Sequence, residues 1–249
     1  MKKIIFFCCF LSIIAQNLHS QSNIDGSPFR FGLHTSPTWS WLRTDDKGLE
    51  SIGSNWGIKL GTMGEYYFSN NYAFISGIGF GLNQGGTIQN GFDKGVFWND
   101  SELSIPGLDT LSKNAKMHYR LNYIEIPVGI RMRGGSNEDQ AFRFYAEAPV
   151  FTIGFRNRAL GDIRGTQGQN SEDEIIKQDV IGASLSWGFG AGIEYELATH
   201  ATLVAGLTYQ QQFTDMTPNN GAILKNGTWQ KEDSKATIGL ISLRIGIFF

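Results

Sequence analysis

Apolar and polar residues alternate with period two through most of the chain after about residue 28, and the clearest short example closes it. In residues 235–249, Ile241, Leu243, Ile245, Ile247 and Phe249 share one face, while Ser242, Arg244 and Gly246 share the other. Such alternation predicts a β-strand with one apolar face. Eight segments carry it, at about 28–43, 55–68, 72–83, 117–133, 141–156, 179–196, 201–213 and 235–249. In the sixth, Leu185, Trp187, Phe189, Ala191, Ile193 and Tyr195 oppose Ser184, Ser186, Gly188, Gly190, Gly192 and Glu194. The fifth changes parity. Phe142, Phe144 and Ala146 share a face, but beyond Pro149 the apolar set becomes Phe151, Ile153 and Phe155. A β-bulge at Ala148-Pro149 accounts for the switch, since a lost ladder donor is tolerable there.

The links between segments alternate in length. Those at 69–71, 134–140 and 197–200 are short, and those at 44–54, 84–116, 157–178 and 214–234 are long and polar. Short turns on one side and long loops on the other fit an eight-stranded antiparallel up-and-down transmembrane β-barrel. An even strand count puts both mature termini on the short-turn side, which is periplasmic in such barrels. The closing strand has no tail, and Ile245, Ile247 and Phe249 are expected to serve as its assembly signal. Aromatic residues gather near strand ends: Trp39, Trp41, Trp56, Phe155, Tyr209 and Phe213 on the long-loop side, and Phe68, Tyr72, Phe142, Tyr195, Phe248 and Phe249 on the other. They read as two interfacial girdles.

The N-terminus agrees with this location. Lys2-Lys3 precede an apolar run from Ile4 to Ala15, too short to span a membrane but of secretory-leader length. Residues 1–20 are read as a signal peptide and 21–249 as the barrel domain, with cleavage before Gln21 or, alternatively, after Ala15. Cys8 and Cys9 both lie inside the leader, and no cysteine ends it, so lipidation is not expected. Removing Lys2 and Lys3 takes the 21 basic residues to 19 against 23 acidic, a formal charge of −4. That balance argues against a nucleic-acid partner. Beyond the leader no apolar run is long enough for a membrane helix. The 31 glycines, 18 phenylalanines and only 18% charged residues suit strands that face lipid on one side and a polar lumen on the other.

Three sets of residues invite a chemical reading. The glycines at 77, 79 and 81, and at 188, 190 and 192, have strand spacing and no helix start to present amides to phosphate. Packing explains them: they leave lumen space for large side chains opposite. Second, Arg30, Lys59, Glu65, Glu125, Arg131, Arg143, Glu147, Glu194 and Arg244 all carry inward parity. Facing lipid, each charge would cost up to a few kcal/mol, so they are expected to form a lumen charge network. A conduction path or proton-coupled site is the alternative, but an eight-stranded barrel is only wide enough for side chains or one small ligand. Third, His34 and Ser36 share the inward face with Glu65, but the acid sits near the opposite end of its strand. His118 edges a loop and His200 a turn, so no catalytic residue, metal site or cofactor is assigned. The loop acids Asp45-Asp46 and Glu172-Asp173-Glu174 read as solvated charge in preference to a cation site. Loop 84–116 carries Phe92, Val96, Phe97, Trp98, Leu103, Ile105 and Leu108, more apolar surface than an idle loop displays. It is expected to fold over the mouth or meet an envelope-protein partner.

Four pieces resemble the PorT-like family of bacterial outer-membrane β-barrels: Phe29–Leu33, Leu121-Asn122-Tyr123-Ile124-Glu125-Ile126-Pro127-Val128, Gly188–Tyr195 and Leu243–Phe249. The resemblance spans nearly the whole mature chain and implies a barrel, with no catalytic motif to transfer. It implies outer-membrane lipid as surroundings, with the barrel-assembly machinery and periplasmic chaperones as partners during biogenesis. The function expected is non-enzymatic, structural or through external loops. An accessory role in protein secretion or surface motility, a narrow channel or ligand carrier, and an outer-membrane hydrolase are the alternatives.

Overall fold

The computed structural model describes residues 28–134, 142–165, 170–198 and 201–249. The expected signal peptide, the turn after residue 134 and His200 lie outside them. Alternation becomes strand at each predicted segment: β1 (Phe29–Thr44), β2 (Leu49–Ser69), β3 (Tyr72–Asn90), β6 (Lys116–Gly134), β7 (Phe142–Arg164), β9 (Ala183–Ala198), β10 (Ala201–Gln212) and β13 (Ala236–Phe248). Five short strands lie between them: β4 (Lys94–Val96), β5 (Thr110–Ser112), β8 (Asn170–Ile175), β11 (Ala222–Lys225) and β12 (Thr228–Lys231). The eight long strands pair antiparallel in the order β6-β3-β2-β1-β13-β10-β9-β7, and β7 returns to β6. Closure leaves no barrel edge, so the strands' backbone groups are paired within the wall.

The outward face is apolar all round. Leu33, Phe74, Ile78, Phe80, Phe144, Phe151, Phe189, Leu207, Leu243 and Ile245 are all exposed. A water-soluble monomer does not carry such a continuous belt, and lipid accommodates it. Aromatic pairs mark its two rims. Trp39 and Trp56 stack with ring centres 6.0 Å apart on the long-loop side, while Phe142 and Tyr195 approach to 4.6 Å on the other. Phe248 departs from the expected girdle. Its parity follows Ser242, Arg244 and Gly246 into the lumen, and it is 2% exposed. Opposite it, a Cβ on Gly32 would stand 2.7 Å from the Phe248 ring, so the missing side chain makes its seat.

The bulge in β7 is present. Gly129 pairs with Val150, but Arg131, two residues on, pairs with Glu147. The register against β9 shifts over the same residues. Phe144 and Phe151 therefore both face outward although their spacing is odd.

The wall continues beyond the lipid belt, which corrects the expected loops. Residues 44–54 are not a long link: β2 begins at Leu49 and pairs Leu49 with Asn90 of β3, leaving only a tight connection. Likewise β3 extends to Asn90, and β7 reaches Arg164 and carries β8 beside it. These extensions read as loops because, above the membrane, neither face need be uniformly apolar. At the sixth segment the correction is opposite, since β9 starts at Ala183 and not at 179.

The two longest links meet. β4 and β5 from the first, and β11 and β12 from the second, form a four-stranded sheet in the order β12-β11-β4-β5. Beneath it Phe92, Phe97, Trp98, Leu108, Leu111, Met216 and Ile223 pack against Leu42, Ile88, Met117, Leu121, Ile163 and Ile238 from the barrel wall. This cap core resembles that of a soluble protein, and each fully buried large side chain contributes about 1.5–3 kcal/mol.

Candidate functional site

The lumen is filled at two levels by different means. Near the start of β1 and the end of β13 the fully buried Arg131 of β6 is ringed by three glutamates from β2, β7 and β9. It pairs with Glu65 and Glu147 through charged hydrogen bonds, and with Glu194 at 3.2 Å. Arg133, two residues on, donates to Glu65 at 3.1 Å and to Glu194 at 3.2 Å. Arg244 donates to both Glu147 oxygens, at 2.6 and 2.7 Å. Arg30 stands 3.6 Å from Glu65 and 3.8 Å from Glu194. Rings close the gaps between the charges. Arg131 lies 4.4 Å over Tyr145 and 5.2 Å from Phe248, and Arg133 lies 4.4 Å over Tyr67, whose hydroxyl donates to Glu65.

Strand pairing builds this layer. Arg30 pairs across to Glu65 and Arg131 to Glu147, so these two cations meet an acid in the ladder, while Arg143 lies across from Glu194 but turns its side chain to Glu196. The glycines do what their spacing implies. A Cβ at Gly206 would lie 2.2 Å from the Tyr145 hydroxyl and one at Gly192 2.7 Å, so β9 and β10 are smooth where β7 is bulky.

Of the nine inward charges, six gather here: Arg30, Glu65, Arg131, Glu147, Glu194 and Arg244. Lys59 and Glu125 form a separate pair at 2.6 Å, with Gln210 accepting from Lys59 at 2.7 Å and Gln84 donating to Glu125 at 2.8 Å. Arg143 stays at the half-exposed rim, 3.0 Å from Glu196. Arg133, Tyr67 and Tyr145 were not singled out from the sequence, and Phe248 was expected in the girdle. Arg133, Tyr67 and Tyr145 each share parity with a named neighbour two residues away, so for these three the alternation itself was the signal.

Between the charged layer and the apolar cap core lies a polar cavity with about 60 Å³ open to water centres. That is room for a few waters. His34, Ser36, Lys59, Glu125, Thr208 and Arg244 contribute to its lining. His34 Nδ1 and Ser36 Oγ are 3.3 Å apart. Glu65 does not join them: it pairs across from Arg30, while His34 pairs across from Gly61. Glu147 is held by two arginines and Glu125 by Lys59. His118 contacts Thr87 at 2.9 Å, outside this cavity.

The loop acids bind loops together. Asp45 accepts from the Lys235 amide and Asp46 from the Gly48 amide, each at 2.7 Å. Asp173 pairs with Arg120 at 2.6 Å. Glu174 accepts from the Ser104 amide at 2.9 Å and from the Ser104 and Ser171 hydroxyls, tying β8 to the loop after β4. Burial alone would raise the Glu174 pKa, but these hydrogen bonds hold it below the usual carboxylate range.

A closed antiparallel ring with an apolar outer belt, an ionic layer inside and a folded cap defines a transmembrane β-barrel protein. The family described as outer membrane protein beta-barrel domain matches residues 14–153, more than half of the chain. The chain belongs to that family, and the outer membrane is its location. No curated protein matches the sequence. Among solved structures, Neisserial surface protein A is 15% identical with a TM-score of 0.42, over 89% of this chain and 96% of that one. OprG from Pseudomonas aeruginosa is 12% identical with a TM-score of 0.40, over 90% and 96%. Ail of Yersinia pestis, in complex with the heparin analogue sucrose octasulfate, is 14% identical with a TM-score of 0.37, over 89% and 99%. Likeness at this level says nothing about activity.

Proposed function

We propose that this is a non-enzymatic outer-membrane barrel of PorT-like type, closed to flow, that acts structurally and through its folded external cap in surface interaction. The observation that carries the reading is the double filling of the lumen beneath a loop sheet with its own buried core. A conducting barrel needs a continuous wet path, and here an ionic layer and an apolar layer interrupt it. A His-Ser-acid hydrolase needs an acid free to orient the histidine, and the nearby glutamates are held by cations. In the PorT-like stretch, Tyr123, Glu125 and Pro127 share the inward parity, and Glu125 receives Lys59, which suits a structural use of that motif.

In this reading both termini and Arg143 face the periplasm, and Ile245, Ile247 and Phe249 offer the assembly machinery the closing strand. The cap then faces outward. A cysteine placed at Asn226, in the β11–β12 turn, should react with a membrane-impermeant maleimide on intact cells. Protection until the cells are lysed would put the cap in the periplasm and end the external-loop reading.

A further inference from the structure

The cap contains a second pocket whose charges are not balanced. Phe97, Trp98 and Tyr119 wall one part of it, and Asp179, Glu232 and Ser234 supply its polar part. Trp98 and Tyr119 meet edge to face at 5.2 Å, and the indole N–H donates to the Tyr119 hydroxyl at 2.9 Å. Asp179 is 2% exposed and Glu232 5%. Neither has an ion-pair partner among the described residues. Asp179 accepts from the Asp100 amide and the Ser101 hydroxyl. Glu232 accepts from the Ser234 amide at 2.7 Å through one oxygen. Ser234 is itself 5% exposed, lines the pocket, and its hydroxyl has no hydrogen-bond partner among the described residues.

Buried carboxylates are expensive unless a cation or hydrogen bonds compensate them. In the lumen each buried glutamate has an arginine or lysine; in the cap these two acids have none. Burial holds the Glu232 pKa above the usual carboxylate range, despite the hydrogen bond from the Ser234 amide, and Asp215 and Asp233 add to the effect. A hard divalent cation would need six to eight oxygens, and the Phe97 and Trp98 rings offer none. An ammonium needs three acceptors and gains from aromatic faces beside it.

We infer that this pocket binds a small primary alkylammonium compound, with its charged head against Glu232, Asp179 and the Ser234 hydroxyl and its alkyl chain along Phe97 and Trp98. The cavity of about 30 Å³ has room for roughly two waters, which admits an ammonium head and excludes a bulky ligand. Thr217, Pro218 and Asn220 are half-buried and line the pocket, so this segment is the route between it and solvent. The site depends neither on the filling of the lumen nor on the direction in which the cap faces.

The test is titration calorimetry of n-butylammonium chloride into the full-length barrel folded in detergent at neutral pH. Saturable binding is expected, weakened at least tenfold by Glu232→Gln and severalfold by Ser234→Ala. The exposed Glu172→Gln should leave it unchanged, n-butanol should not bind, and calcium should not displace the amine. If Glu232→Gln does not fold, Ser234→Ala carries the same comparison. Absent binding, binding indifferent to these pocket substitutions, equal binding of n-butanol, or displacement by micromolar calcium would each overturn the inference.

Discussion

The two ends of this barrel are filled by opposite chemistry. At the terminal end the interior is ionic: Arg131 is surrounded by Glu65, Glu147 and Glu194, with Arg30, Arg133 and Arg244 outside them. At the cap end it is apolar, built from Trp98, Leu108, Leu111, Met117 and their neighbours. The membrane explains the difference. Within the belt the apolar side chains are drawn outward to lipid, so the interior is left to polar groups that must satisfy one another. Above the belt water lies outside, and the usual apolar-inside rule returns. Loop 84–116 supplies that apolar material, which is why it carries so many large residues.

The contrast breaks most sharply at Arg131. Arg131→Met leaves three glutamates around a hole and should cost about 3–5 kcal/mol of folding stability, read as a lower urea midpoint of the folded barrel. Neutralising the acids as well, with Glu65→Gln, Glu147→Gln and Glu194→Gln, should recover much of that loss. At the other end, Leu108→Ala should cost about 2–5 kcal/mol, most of it felt in the cap, and no neutralising partner change will rescue it. Limited proteolysis separates the two, since cap loops should be cut first in Leu108→Ala and not in Arg131→Met. Gly206→Ala should follow at about 1–3 kcal/mol, because the added methyl collides with the Tyr145 hydroxyl across the ionic layer.

The smallest expected effects lie in the cap acids and have opposite signs. Glu232 has a raised folded-state pKa, so its ionised form burdens the fold. Its contribution is best below the unfolded carboxylate pKa and worsens as pH rises through the raised value. Glu174 has a lowered folded-state pKa. Its contribution is full above the unfolded pKa and is lost as pH falls through the folded one. In a pH series of cap proteolysis, Glu232→Gln should remove the loss on the alkaline side of this range, and Glu174→Gln the loss on the acid side.

How much of this was legible follows the same divide. Period-two alternation marked all eight staves, the Ala148-Pro149 bulge and the inward charges, because lipid and lumen impose opposite demands on successive residues. It named Arg131 and Glu147, which pair, and Arg143, which the structure leaves at the rim because strand ends run past the filled layer. It did not show Phe248 entering the lumen. An aromatic at a strand end has the composition of a girdle residue, and only its pairing across Gly32 decides the matter. The cap was least legible. Its sheet joins β4 and β5 to β11 and β12 across more than a hundred residues, and β2 and β3 lose their clean alternation once they leave the lipid. Asp179, Glu232 and Ser234 carry no common spacing, so their meeting is a product of that fold alone.

Closure of the lumen by two unlike layers is the central claim, and planar-bilayer recording of the purified, folded barrel tests it most directly. The filled interior predicts a silent trace for the wild type, and again for Leu108→Ala, whose ionic layer is intact. Reproducible, long-lived open channels from the wild-type protein would contradict it.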